Sequence, residues 1–196
     1  MTKLIVISTD FDFKNEMNQV HALFDAGMEL FHLRKPLWDL QRQENFLNQL
    51  SKDELSRVAL HQWHETAEKY DIKRLHYKEA ERNNAITHKD ENSNVIRSTS
   101  FHDPATLEKI GPDFNYCFLS PIFKSISKIN HVSVIDSDYK VKRKLDTKVF
   151  ALGGITEERI PQVMERNFYG VAVLGALWNG NSSPVNNLKK LMALCK

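Results

Sequence analysis

Two glycine-containing turns near the carboxyl end of the chain carry the residue types that bind a phosphate group. The first lies in KVFALGGITEERI (residues 148–160), where an apolar run ends in Gly153 and Gly154 and a helix-like segment follows. The second lies in GVAVLGALW (residues 170–178), where Gly175 ends another apolar run. Glycine lets backbone N–H groups approach an anion closely, and a helix start adds partial positive charge. Together the turns predict a phosphate cradle, whereas either one alone is more typical of an ordinary tight turn.

Histidines at predicted strand ends are the candidates for proton transfer. They are His32, His61, His76 and His102. Imidazole changes its charge near neutral pH, so a ring of such side chains could move protons or bind a metal. His102 fits proton transfer best, because it precedes a predicted helix start and needs no metal. Metal binding is less favoured, since no ligand pair has the usual spacing along the chain. A structural, hydrogen-bonded role is the alternative for each histidine.

Two other segments could bind a second anion. Arg34 follows a predicted strand and could make two parallel hydrogen bonds to an anion, whereas Lys35 beside it is also typical of surface charge. Ser125, Ser127 and Lys128 lie in a polar stretch and could close over an anion, although polar loops often have this composition.

The elements that must position these residues alternate between strand-length apolar runs and helix-length amphipathic segments. The pattern predicts strands at 4–8, 30–34, 58–61, around Leu75, 95–100 and 116–120, followed by the two runs that end in glycine turns. It predicts helices at 14–26, 37–50, 64–70 and 104–110, the last with Asp103 as its N-cap. Residues 78–94 contain no convincing helix, and residues 121–146 form a long polar loop.

This alternation predicts an α/β fold with a parallel sheet, and eight strand signals without a clear sheet edge favour closure. We therefore expect a small TIM (β/α)8 barrel with a degenerate fourth βα unit, forming one domain over residues 1–196. Function in such barrels lies at the carboxyl ends of the strands, where the candidate residues fall.

Composition limits the partners. The chain has 27 Lys and Arg against 25 Asp and Glu, and a net charge of +2 gives no basic footprint for nucleic acid. Cys117 and Cys195 form no disulfide or zinc pattern, and no apolar run has membrane length. We expect a cytoplasmic protein that binds small molecules, with no nucleic-acid or membrane partner. The sequence leaves open whether the protein forms a homodimer.

Five segments together point to one enzyme family. FHLRKP (31–36), STSFHDPATLEKI (98–110), LSPIFKSISK (119–128), FALGGIT and GVAVLGALW each lie at a predicted strand end. In this order they resemble the strand-two arginine segment, the serine and histidine element, the lid motif and the phosphate site of the thiamin phosphate synthase and TenI (thiazole tautomerase) family. The resemblance covers nearly the whole chain.

The resemblance implies a small phosphorylated thiazole as substrate. Its phosphate is expected to contact Gly153, Gly154, Leu174 and Gly175. A second substrate that carries a diphosphate is expected to contact Arg34, Lys35, His61, Gln62, Ser125, Ser127 and Lys128. His102 resembles the histidine that transfers a proton in the tautomerase branch.

The chain departs from the family pattern where the synthase is expected to hold Mg²⁺. His61 and Gln62 stand at the position of an Asn-Asp pair after strand three, and Glu81 stands near that of an Asp after strand four. One carboxylate beside a histidine and a glutamine is a poor site for a hard cation. Glu81 is the only metal ligand that this comparison offers, and only for a synthase.

Three hypotheses remain. The first is a tautomerase that needs no cofactor, in which His102 moves the proton of a thiazole phosphate carboxylate. The second is a divergent, Mg²⁺-dependent synthase that joins an aminopyrimidine methyl diphosphate to the thiazole phosphate and releases diphosphate. The third is a non-catalytic protein that binds a thiamin precursor.

Overall fold

Eight parallel strands form a closed barrel in the computed structural model, which describes residues 3–87, 94–123, 135–179 and 182–195. Neighbours in the barrel are consecutive in the chain, and β8 pairs with β1 to close it. The strands are β1 (Leu4–Ile7), β2 (Phe31–Leu33), β3 (Val58–Leu60), β4 (Arg74–Tyr77), β5 (Ile96–Phe101), β6 (Tyr116–Leu119), β7 (Lys148–Leu152) and β8 (Gly170–Val173). The predicted (β/α)8 barrel is confirmed.

Helices lie between the strands and after β8. They are α1 (Glu16–Asp25), α2 (Leu40–Leu47), α3 (Lys52–Ser56), α4 (Thr66–Lys69), α5 (Arg82–Thr87), α6 (Pro104–Ile110), α7 (Ile160–Glu165), α8 (Gly175–Trp178) and α9 (Pro184–Leu194). Short 3₁₀ turns cover Glu79–Glu81, Gly111–Asp113 and Glu157–Arg159. None of the helices in the described ranges is long and apolar enough to cross a bilayer.

The fourth βα unit corrects the expectation that it contains no helix. A 3₁₀ turn and α5 follow β4, and Ala85 is the apolar residue that α5 buries. Arg82 anchors this helix, because its guanidinium donates to the Ser100 carbonyl at 2.6 Å and lies 4.2 Å from the centre of the Phe101 ring. A helix of six residues with so little apolar surface gives no 3.6-residue periodicity to detect. The degenerate unit is therefore short rather than helix-free over residues 79–87.

Strand side chains alternate between the barrel interior and the layer beneath the helices. The apolar interior is small and consists of Ile5, Ile7, Leu30, Ala59, Tyr116, Phe118, Phe150 and Ala172. The larger cluster packs strands against helices, with Val20, Leu23 and Leu188 among its fully buried members. Beside this apolar cluster the interior is polar. His32 on β2 and His76 on β4 lie there, in contact with each other and with the rings of Tyr116 and Phe118 on β6.

Candidate functional site

The turn after β7 requires glycine at two positions. Gly153 and Gly154 have φ angles of 93° and 65°, which side-chain-bearing residues rarely adopt. A Cβ on Gly153 would lie 2.9 Å from Pro121, and one on Gly154 would lie 2.8 Å from Phe123. The two glycines therefore let the β7 turn pack directly against the segment that follows β6.

The backbone N–H groups of the two glycine turns are the donors that a phosphate group would need. Outside helices and strands, the backbone hydrogen bonds of the described residues include none donated by Gly153, Gly154, Leu174 or Gly175. The turns are adjacent, because Leu152 pairs with Ala172 where β7 and β8 end. The carbonyl groups of the first turn, in contrast, accept hydrogen bonds. Phe123 N–H donates to the Gly153 carbonyl, and Arg159 Nη1 donates to the Gly154 carbonyl at 2.6 Å. This is the arrangement that an amide phosphate cradle needs.

Arg159 is a cation beside this cradle that the sequence motifs did not indicate. Its half-buried guanidinium lies 4.8 Å from the centre of the Phe123 ring as well as against Gly154. The available signal was its position five residues after the second glycine, at the start of the following helix. Its positive charge favours an anion at the same turn.

His102 is exposed at the end of β5, and its tautomer is fixed by one hydrogen bond. Its Nδ1 lies 2.7 Å from the backbone carbonyl of Ser120. A carbonyl can only accept, so Nδ1 carries the proton and the neutral ring has its lone pair on Nε2. Asp103 caps α6 by accepting from Thr106 N–H at 2.7 Å, which fixes the backbone beside the imidazole. His102 can thus act as a base through Nε2.

The Arg34 side chain is partly exposed to solvent, whereas the Lys35 side chain is buried. Arg34 pairs with Asp10, and both side chains are about half exposed, so a diphosphate could replace the carboxylate. Lys35 is 1% exposed and donates to Glu16 at 2.6 Å and to the Phe11 carbonyl at 2.9 Å. Burial is the main cause that raises the pKa of Glu16, and the ammonium of Lys35 opposes it. Through these hydrogen bonds Lys35, just after β2, holds the loop that follows β1 and the start of α1. We therefore exclude Lys35 from the anion site.

Gln62 also connects loops. Its Nε2 donates to the carbonyls of Lys35 at 2.7 Å and Trp38 at 3.2 Å, which ties the end of β3 to the loop after β2. Glu81 caps the 3₁₀ turn after β4, since its Oε2 accepts from Lys78 N–H at 3.2 Å. Ser125, Ser127 and Lys128 lie outside the described residues.

A buried array of histidines fills the polar part of the barrel interior. His32 Nδ1 lies 2.8 Å from His61 Nε2, and His32 Nε2 lies 2.8 Å from the Tyr116 hydroxyl. The His61 and His76 rings stack with centroids 4.1 Å apart. His76 bonds to the hydroxyls of Ser98 at 2.9 Å and Ser100 at 3.1 Å. Three of the four histidines singled out in the sequence therefore come together, whereas His102 lies apart with Ser120.

Burial keeps the array uncharged. Desolvation lowers the pKa of His32 and His61 well below the usual value of a histidine and that of His76 to about 3, and charges on neighbouring histidines and arginines add to the effect. Burial also raises the pKa of Tyr116. At neutral pH each ring is a neutral donor and acceptor.

Among the residues that the structure describes, the candidate ligands do not fit Mg²⁺. Among the described residues, the group of three or more His, Cys, Asp and Glu that could hold an ion is His32, His61 and His76. Mg²⁺ prefers carboxylate and water oxygens in octahedral geometry, and three neutral nitrogens do not supply these. Glu81, the one carboxylate expected as a ligand, already serves as a cap.

The opposite face of the barrel holds a separate cleft of about 620 Å³. It is lined by residues that precede or begin strands, such as Lys3, Asn115 and Lys148, and by the 141–147 segment. None of the candidate site residues lines it, so its volume does not bear on the strand-end site.

Known proteins match this fold and sequence. Residues 4–177 match the family model described as thiamine monophosphate synthase. A thiamine-phosphate synthase of Prochlorococcus marinus is 36% identical over 83 residues, which are 42% of this chain and 24% of that protein. The chain thus aligns with about a quarter of the length of this curated relative.

Solved structures share this barrel fold. A thiamine phosphate pyrophosphorylase of Bacteroides thetaiotaomicron superposes with a TM-score of 0.74 and 26% identity, covering 98% of this chain and 96% of that one. One from Pyrococcus furiosus has a TM-score of 0.73 at 16% identity over the same shares. A 3-hexulose-6-phosphate synthase has a TM-score of 0.65 at 14% identity and covers 99% of this chain and all of its own, which reflects the barrel alone.

Proposed function

Because this chain belongs to the thiamine monophosphate synthase family, we propose that it binds a thiazole phosphate and isomerises its carboxylate form without Mg²⁺. The observation that carries this proposal is the set of residues at the expected magnesium positions. His61 and Gln62 replace the expected Asn-Asp pair, Gln62 donates to the Lys35 carbonyl, and the Glu81 carboxylate caps a 3₁₀ turn. A divalent cation normally neutralises a departing diphosphate, whereas a proton shift needs no such charge. The site therefore favours the tautomerase reaction over the synthase reaction.

Phosphate binding is supported by the two glycine turns. The N–H groups of Gly153, Gly154, Leu174 and Gly175 supply up to four donors, and Arg159 adds positive charge. Charge-assisted hydrogen bonds of this kind are about twice as strong as neutral ones. They would fix the thiazole at the mouth of the barrel, on the same face as His102.

The proton shift is assigned to His102. Its Nε2 takes a proton from one carbon of the thiazole, the C–H electrons pass into the ring system, and the imidazolium returns the proton at another position. The Ser120 carbonyl accepts from Nδ1–H throughout and stabilises the positive ring. Composition and net charge of the substrate are unchanged at the end.

Synthase activity is the second candidate. It is favoured by the printed names of the relatives, a thiamine-phosphate synthase and two pyrophosphorylases, and by the replaceable contact of Arg34 with Asp10. In that case the second substrate's diphosphate would lie against Arg34, and the reaction would need added Mg²⁺.

Two assays on the full chain separate these functions. In magnesium-free buffer, the thiazole phosphate carboxylate should isomerise, and His102→Gln should lower the rate roughly 100-fold or more because a general base is lost. His21→Gln is the matched control, since His21 lies on α1 and bonds to Glu54. Magnesium-dependent diphosphate release from both substrates, with no isomerisation, would replace the tautomerase proposal with the synthase. Phosphate-ester binding without turnover in either assay would contradict both.

A further inference from the structure

We propose that His32, His61 and His76 form a binding site for a divalent transition-metal ion, with Zn²⁺ as the reference case. One ring nitrogen from each histidine lies within 4.8 Å of the other two, and all three residues are buried. The ligands come from β2, the end of β3 and β4, so the site is built by the barrel rather than by one loop. It is separate from His102 and does not depend on the proposed isomerisation.

The distances suit an ion with short metal–nitrogen bonds. Zn²⁺ binds imidazole nitrogen at about 2.0–2.1 Å, so two nitrogens of a tetrahedral site lie roughly 3.3 Å apart. His32 Nδ1 and His61 Nε2 are 2.8 Å apart and need only a small opening to admit the ion. The His61 and His76 rings are stacked with centroids 4.1 Å apart, so one ring has to rotate about its side-chain torsions to aim its nitrogen at the shared centre.

Outer partners of the kind that metal-ligating histidines use are already in place. A ligating imidazole donates its second N–H to a neighbouring acceptor, which fixes the tautomer. The Tyr116 hydroxyl lies 2.8 Å from His32 Nε2, so a proton there leaves the Nδ1 lone pair facing His61. Ser98 takes the same position at His76 Nδ1, at 2.9 Å, and leaves Nε2 beside the rotatable hydroxyl of Ser100.

Chemistry of the ligands selects the ion. Three neutral imidazoles suit Zn²⁺, Ni²⁺ or Cu²⁺ and discriminate against Mg²⁺ and Ca²⁺. Three protein ligands leave a fourth position, which water or hydroxide from the mouth beyond His61 would take.

Metal titration of the full, tag-free chain tests the site. After chelator treatment and dialysis, calorimetry with ZnCl₂ should show one ion per chain with Kd of about 10 µM or lower. Co²⁺ should give visible absorption bands typical of tetrahedral nitrogen ligation. His61→Gln and His76→Gln should each weaken Zn²⁺ binding more than about 100-fold, since mutating even a residue that only hydrogen-bonds to a ligand typically lowers metal affinity about 10–100-fold. Tyr116→Phe should weaken it about 10-fold or more for that reason.

Controls make the result decisive. His102→Gln and His21→Gln remove histidines outside the array and should leave the Zn²⁺ affinity within about 2-fold. Circular dichroism checks that each variant folds, and Tyr116→Phe serves where a ligand variant does not. The absence of saturable Zn²⁺ binding below about 100 µM would overturn the proposal. So would an affinity that every folded array variant retains, or one that His102→Gln removes.

Discussion

Gly154 combines a left-handed backbone with a tight neighbour, and Gly175 has neither. A Cβ on Gly154 would lie 2.8 Å from Phe123 Cβ and 3.0 Å from its carbonyl oxygen, whereas one on Gly175 would meet Asn179 at an ordinary 3.7 Å. The φ angle of Gly154 is 65°. Gly154 and Gly175, two of the three glycines of the proposed cradle, thus form a matched pair for substitution.

Gly154→Ala should lower the free energy of unfolding by about 1–3 kcal/mol, the usual cost of a strained backbone conformation. Gly175→Ala should change it by less than about 1 kcal/mol, because alanine is favoured in a helix. Urea denaturation of both variants measures the difference. Equal stability of the two variants would mean that the turn after β7 relaxes easily and does not hold its amides in place.

Individual side chains were predicted best where one local rule decides them. The turn at Gly153 and Gly154 and the Asp103 cap follow from neighbouring residues in the chain, and the structure has positive φ at both glycines and the capping hydrogen bond at Asp103. Lys35 was not predictable in this way, because its partner Glu16 comes from α1. The histidine array depends on the register of β2, β3 and β4, which spacing along one segment does not contain.

Helices were predicted well when a cap and an apolar stripe coincided. The predicted helix at 104–110 matches α6, and that at 14–26 contains α1. The predicted helix at 37–50 was too long, because α2 ends at Leu47 and a separate α3 begins at Lys52. Ser51 with Glu54 three residues later is the capping-box signal that marks this second start.

That capping box predicts the stability of α3. The Ser51 hydroxyl accepts from Glu54 N–H at 3.3 Å, and Glu54 accepts from Ser51 N–H at 2.7 Å. Ser51→Ala should lower the free energy of unfolding by about 0.5–2 kcal/mol, and Ser51→Asp should retain most of it. Ser56→Ala, at the other end of α3, should stay within about 0.5 kcal/mol. Thermal or urea denaturation gives the values, and equal losses for Ser51→Ala and Ser56→Ala would contradict a role for the cap.

The barrel was predictable as a whole because most strands produce an apolar run and a helix-length segment follows most of them, which is the alternation of a parallel sheet. The polar interior was not, since an inward-facing histidine and an outward-facing one look alike in the sequence. Because of this polar interior, the fold depends on keeping the imidazoles of His32, His61 and His76 uncharged. Unfolding exposes these rings to water, where they bind protons below about pH 6.5.

Acid should therefore destabilise the folded protein, because unfolding lets the three buried histidines bind protons. A histidine whose pKa is lowered on folding contributes stability that is complete above its unfolded pKa and is lost as the pH falls toward its folded pKa, which for His76 is about 3. Each ring adds up to about 1.4 kcal/mol per pH unit in that window. The free energy of unfolding, measured by urea titration with a chelator present, should be level above about pH 7 and fall steeply between about pH 6 and 4. His76→Gln should make this fall shallower by about one proton, and an unchanged slope in a folded variant would show that the array is not its origin.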